Sequence, residues 1–130
     1  SNGEKIPPVD LAVAIMRDPL FEHVMLIGEG RPFLSVMTVL DKQLWNRLAG
    51  EKGMNADAGT LRTPAAEKEL LARTAAQMKE FPGYAQVRRI TAVLEPWTVD
   101  NGLLTPTLKL RRNRVLEKFH VELDQMYAGH

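Results

Sequence analysis

Cysteine is absent from the 130 residues, so disulfides and thiolate metal sites are excluded and a reducing cytoplasm is a fitting location. An excess of one charge is also missing. Seventeen Lys and Arg stand against sixteen Asp and Glu, and a formal net charge of +1 argues against a dedicated nucleic-acid binder, whose surface is strongly basic. No apolar run approaches the roughly 20 residues of a membrane span, and the N-terminal residues show no signal-peptide pattern. Internal repeats and low-complexity segments are lacking. His23, His120 and His130 have no metal-ligand spacing among themselves, so no metal site is expected. No Gly-x-Ser-x-Gly elbow or Ser-His-Asp arrangement can be drawn. What is present is the composition of one ordinary globular domain, 45% hydrophobic and 25% charged, able to bury a core but small for a complete two-substrate enzyme.

The chain punctuates itself clearly. After the extended "GEKIPP", the segment "VDLAVAIMRDPL" places Val9, Val13, Met16 and Leu20 at helical spacing, and Asp18-Pro19 ends the helix. "HVMLIGEGRPFLSVMTVL" reads as a β-hairpin whose strands are apolar on both faces, which calls for cover on both sides of a sheet. Its Gly28-Glu29-Gly30-Arg31 lies between strands and not before a helix, so it is a turn and not a phosphate loop. Asp41 caps a short helix carrying Leu44, Trp45 and Leu48. Residues 50–63, Gly-rich and aperiodic, are expected to form a flexible loop, an insertion outside the core. Thr63 and Pro64 open a helix with the stripe Ala66, Leu70, Thr74 and Met78. "FPGY" turns into the strand "AQVRRITAVLE", whose Arg88 and Arg89 belong at an edge or pointing outward. "WTVDNGLLT" predicts a second hairpin around Asn101-Gly102, and one helix from about Arg111 to Tyr127 buries Val115, Leu116, Phe119, Leu123 and Met126. The expected fold is α+β: a small mixed β-sheet with hairpins, flanked by about four helices.

The chemistry gathers after the second hairpin. Thr105-Pro106-Thr107 leads to a single lysine, Lys109, and then to Arg111, Arg112 and Arg114 at the start of the last helix. Cations there oppose the helix macrodipole at a few tenths of a kcal/mol each. Two readings of the arginines stand: a solvated basic face, or a surface balanced by an anionic partner. Lys109 is set apart by the stiff segment in front of it.

"NGLLTPTLKLRR", with "FPGYAQVRRITAVLEPWTV" before it, resembles the C-terminal end of long-chain acyl-CoA synthetases (long-chain fatty acid–CoA ligases), members of the adenylate-forming superfamily with firefly luciferase and the peptide-synthetase adenylation domains. "NGEKIPP" is similar to that family's Gly-Glu-(Lys/Asn)-Ile-x-Pro segment, and "VMLIGEGRPFL" to the strand pair that follows it. The resemblance spans nearly the whole chain. It implies that residues 1–130 are the small, mobile C-terminal lid domain of a larger AMP-binding enzyme. The N-terminal domain, which would hold ATP, Mg2+ and the fatty acid, would lie upstream of a chain that opens abruptly at "SNGEKI". That domain would be its partner, with CoA as the second substrate.

The resemblance further implies that Lys109 is the adenylation lysine, which bridges carboxylate and α-phosphate, and that Thr105, Pro106 and Thr107 support its loop. Gly3 would let the backbone lie against the CoA channel. Glu4 and Lys5 either line the same face or are solvated loop residues. Arg88 and Arg89 could meet CoA phosphates, although strand-edge charge is the simpler reading. One departure stands out: much of the superfamily has glycine directly before the lysine, whereas Leu108 occupies that place here, a subfamily character, since the long-chain branch shares the Thr-Pro-Thr-Leu-Lys form. The implied location is cytoplasmic, with peripheral membrane contact of the full-length enzyme allowed. The alternative from a different class is a stand-alone module on the same fold that binds CoA, nucleotide or protein without catalysis.

Overall fold

The computed structural model describes residues 7–129, the Tyr84 side chain apart. In chain order the elements are α1 (Pro8–Ile15), β1 (Phe21–Ile27), β2 (Leu34–Leu40), α2 (Lys42–Glu51), α3 (Pro64–Gln77), β3 (Val87–Val93), α4 (Arg112–Lys118) and α5 (His120–Tyr127), with short 3-10 turns at Thr60–Arg62 and Gly83–Ala85. The sheet is mixed, in the order β1-β2-β3. β2 pairs antiparallel with β1, Met25 opposite Met37, and parallel with β3, Val36 opposite Ile90. The parallel pair needs a long crossover, and α2 and α3 supply it.

Because side chains alternate along a strand, each strand feeds two cores. One face contributes Val24, Leu26, Val36, Leu40, Ile90 and Ala92 to a cluster closed by α1, α2 and α3 through Leu11, Ile15, Trp45 and Leu70. The other contributes Met25, Ile27, Met37 and Val39 to a cluster closed by Trp97, Leu103, Leu104, Val115, Phe119, Leu123 and Met126. The double-sided cover expected from the unbroken apolar strands is therefore present, and it makes a three-layer sandwich.

Several local signals act as expected. The Asp41 carboxylate accepts from Leu44 N at 2.9 Å and caps α2, and Thr63 Oγ1 accepts from Ala66 N at 3.3 Å at the start of α3. The stripe Ala66, Leu70, Thr74 and Met78 is buried. Arg89 is held at the outer edge of β3: its Nε donates to Glu67 at 2.7 Å, and the same carboxylate oxygen accepts from Ile90 N at 3.0 Å. Glu67 thus occupies an edge position that would otherwise offer an open backbone donor.

Four expectations are corrected. In α1 the inward face is Leu11, Ala14 and Ile15, while Val9 and Val13 are 65% and 53% exposed and Met16 lies half out. Two apolar stripes share this helix, and the one that faces β1 is the one used. The segment 50–63 adds to the core: Leu61 is buried, and the Trp45 indole donates to Ala56 O at 3.0 Å. The second hairpin has its turn but not its strands; Leu103 N and Leu104 N both donate to Thr98 O across the turn, and the bridge between Leu104 and Leu110 closes the next loop instead. The last helix is two, broken at Phe119 (φ −106°, ψ 26°) with neither Gly nor Pro present. The break lets Phe119 pack beside Trp97, ring centroids 6.0 Å apart, while α5 turns Leu123, Met126 and Tyr127 inward. Tyr127 then ties α5 to the sheet, its hydroxyl 2.8 Å from both Ser35 Oγ and Phe33 O.

The link between α1 and β1 is fixed by Asp18. Its buried carboxylate accepts from Leu20 N at 3.0 Å and from Arg73 of α3 at 2.7 and 2.9 Å. Burial pushes this carboxyl up, but the hydrogen bonds from Arg73 and Leu20 and the Arg73 charge outweigh it and hold the group below the usual carboxylate range. A depressed folded-state value means that the ionised form stabilises the fold above the unfolded value of about 4, and that this contribution disappears as pH falls through the folded value. Asp18→Asn should lower stability at pH 7 by about 2 kcal/mol. It should also flatten the loss of stability as pH falls below about 4. Chemical denaturation across that range, wild type against variant, checks both.

Candidate functional site

Residues 97–111 form an arm with an anchored base and an exposed tip. The base turns at Thr98–Gly102, and Asn101 organises it. Its side-chain oxygen accepts from Thr98 N at 3.0 Å and from Leu103 N at 3.3 Å, and its amide donates to Pro96 O at 2.9 Å. Gly102 sits at φ +80°, a conformation that side chains rarely adopt, and a Cβ there would come within 3.2 Å of the Arg114 guanidinium. Trp97, Leu103 and Leu104 are buried in the second core, so the arm leaves the body of the domain from a rigid footing. Trp97 stacks near His23, centroids 6.0 Å apart, and its buried indole N–H has no hydrogen-bond partner among the described residues.

Beyond Leu104 the chain makes a tight loop. Leu108 N donates to Thr105 O at 2.7 Å, and Thr105 N donates to Lys109 O at 2.8 Å. These two bonds define a three-residue hairpin loop of Pro106, Thr107 and Leu108. In such loops a turn is followed by one residue in the left-handed region. Leu108 is that residue, at φ +64°, and among the described residues no other non-glycine has a positive φ. Proline at the first loop position presets the turn. Thr105 holds it from inside: its hydroxyl accepts from Lys109 N at 3.1 Å and lies 3.1 Å from Thr107 Oγ1. Thr105, Pro106 and Thr107 therefore each have a local task in shaping the loop that carries Lys109.

Lys109 is exposed, and its ammonium has no hydrogen bond or ion pair among the described residues. Arg111, Arg112 and Arg114 are exposed too and likewise lack an acidic partner among those residues. α4 begins without a side-chain cap and without an acid in its first turn. The arrangement can present a cation to an anion outside the domain, since none among the described residues answers it. Gly3, Glu4 and Lys5 lie outside the described residues, as does His130. Arg89 is engaged by Glu67 and Arg88 is exposed, neither beside the arm in sequence. Among the described residues no group of three His, Asp or Glu side chains converges as a metal site would require, and no helix is long and apolar enough to cross a membrane.

The left-handed Leu108 was not expected from residue patterns. Its signal was the glycine that the related superfamily places there, because glycine takes a positive φ without strain. For leucine the same conformation costs roughly 1–2 kcal/mol. Leu108→Gly should relieve this, less the extra unfolded-chain entropy of glycine, for a net gain of about 0.5–1 kcal/mol. A melting temperature raised by a few degrees would bear this out; an unchanged or lowered one would show that the loop carries no such strain.

The model of the AMP-binding enzyme C-terminal domain matches residues 1–130. A chloroplastic long-chain-fatty-acid–[acyl-carrier-protein] ligase of Arabidopsis thaliana is 31% identical over 131 residues, covering 98% of this chain and 16% of that protein. A putative fatty-acid–CoA ligase of Mycobacterium tuberculosis is 28% identical over 132 residues, 98% of this chain and 23% of that protein. The chain thus spans about a fifth of the length of these curated relatives. The same fold occurs in the A domain of carboxylic acid reductase from Segniliparus rugosus, a structure in complex with AMP and a co-purified carboxylic acid, at a TM-score of 0.78 and 21% identity over 98% of this chain and 19% of that one. With its whole length matched and its three-layer architecture shared, the chain belongs to the family of AMP-binding enzyme C-terminal domains.

Proposed function

We propose that this domain serves an ATP-dependent long-chain fatty acid–CoA ligase, and that Lys109 is its adenylation lysine. The observation that carries the reading is the tip of the arm: an exposed ammonium, unpaired among the described residues, directly after a three-residue loop rooted in a buried base, in a chain of the AMP-binding family. In the first half-reaction a carboxylate oxygen of the fatty acid attacks the α-phosphorus of ATP and pyrophosphate leaves. Negative charge moves from the carboxylate toward the phosphates. A compact cation placed between the two groups stabilises that shift without transferring a proton. Because the loop is already closed by its own hydrogen bonds, little conformational freedom is lost when Lys109 engages. In the second half-reaction the CoA thiol attacks the acyl carbon and AMP leaves, the thiol proton passing to solvent.

ATP, Mg2+ and the fatty acid are held in this reading by a larger N-terminal domain that acts with this one. In the same reading Gly3 serves the CoA channel, where a glycine lets the backbone approach a narrow passage, and Glu4 and Lys5 either line that face or are solvated. The acyl-carrier-protein ligase among the relatives widens the acceptor class to a carrier-borne thiol, with the same first half-reaction. A stand-alone binding module gives no task to a lysine placed for the α-phosphate of an adenylation site, and is the weaker reading.

In the full-length enzyme, Lys109→Ala should reduce fatty-acid-dependent pyrophosphate exchange by about 10²–10³, the size expected for one removed electrostatic stabiliser. Thioester formation from supplied acyl-adenylate should stay within a few-fold of wild type. Equal loss in both half-reactions would remove the role. Residues 1–130 alone should show no turnover of palmitate, ATP and CoA; measurable acyl-CoA from the purified domain would overturn the division of labour.

A further inference from the structure

Two observations single out Leu108. Its backbone sits at φ +64°, and its side chain is 66% exposed. Glycine would relieve the backbone and remove the exposed apolar surface, and asparagine would ease the backbone while offering water a polar group. In the free domain leucine is therefore the poorer choice on both counts. No contact among the buried clusters calls for it, since Leu108 belongs to neither. Its side chain contributes favourably only where something covers it.

What covers it must lie near whatever Lys109 approaches. The two residues are adjacent, so their Cα atoms are about 3.8 Å apart, and the bonds from Thr105 to Leu108 and Lys109 make the tip move as one piece. Around a reacting carboxylate and α-phosphate, the phosphates and ribose are polar. The apolar matter bonded to the reacting carbon is the alkyl chain. We infer that Leu108 is a substrate-contacting specificity residue, its side chain covered by the first methylenes of the fatty acyl chain when Lys109 engages the carboxylate. This rests on the adenylation role proposed for Lys109.

The test uses the full-length enzyme, with pyrophosphate exchange measured for decanoate and for 3-oxadecanoate, in which an ether oxygen replaces the third carbon. Wild type and Leu108→Met should prefer decanoate. Leu108→Gly should raise the KM for decanoate about tenfold, leave the KM for ATP within twofold, and shrink the preference for decanoate over the ether by about 3- to 5-fold, the worth of one methylene contact. Leu108→Asn should shrink the preference similarly. A melting temperature of Leu108→Gly no lower than wild type shows that the loop is intact. An unchanged preference in Leu108→Gly would overturn the inference. So would a fall in kcat that is equal for both acids with KM unaltered, since that places the side chain against a protein wall. Lys109→Ala separates the two claims. If it retains exchange, the proposed function fails; if it loses exchange while Leu108→Gly keeps the preference, only the present inference falls.

Discussion

The strand from Leu34 to Leu40 is hydrogen-bonded along both edges and covered on both faces, and the rest of the domain is arranged by that constraint. A strand so enclosed cannot alternate apolar with polar residues, and apart from Ser35 and Thr38 this one does not. Thr38 satisfies its hydroxyl on His23 O at 2.6 Å, and Ser35 does so on Tyr127. The helical layer from α1 to α3 could have closed one face by itself. The other face needs Trp97, Leu103, Leu104 and the broken α4–α5 pair, and so the stretch that ends in Lys109 is drawn onto the sheet. The arm is rigid at its base because the sheet needs those leucines.

The tip follows a different logic. A loop of three residues requires a left-handed residue at its end, and leucine meets that requirement only under strain. The surrounding bonds over-determine the conformation: Pro106 presets the turn, Thr105 binds Lys109 through both backbone and hydroxyl, and the Leu104–Leu110 bridge closes the neck. Strain held by such a frame is characteristic of functional loops, where geometry takes precedence over local preference.

How much of this could be read from residues alone depends on whether the deciding interaction was local. The first hairpin, the Asp41 and Thr63 caps and the α3 stripe are set by neighbours a few positions apart, and they were legible. The inward face of α1 was not, because Val9, Val13 and Met16 match a helical period as well as Leu11, Ala14 and Ile15 do. Only the position of β1 separates them. The break at Phe119 has no local signal; it answers to Trp97 across the core. The Asn101-Gly102 turn was legible, but the strands expected beside it give way to burial of Leu103 and Leu104. At the site, family resemblance marked Lys109, and the bonds of Thr105 and Thr107 now give their positions a physical reason. For Leu108 the signal was a departure from the related pattern, and its meaning appears only once the backbone conformation is known.

Charge is divided along the same line. The ion pairs of the described residues engage Arg17, Lys52, Arg62, Arg73 and Arg89, with acids supplied by α1's exit loop, α3 and its following turn, and α5. These pairs brace the layers. Lys109, Arg111, Arg112 and Arg114 take part in none of them. A chain of net charge +1 therefore carries a local excess of four cations within six residues at one end of the arm. Exposed charges within a Debye length of about 8–10 Å add their fields, so the tip projects a positive potential that the net charge conceals. In the function proposed for Lys109, such a field would attract phosphate-bearing ligands without choosing among them. Selection would then fall to what is short-ranged: the position of one ammonium beside a closed loop, and the apolar side chain next to it.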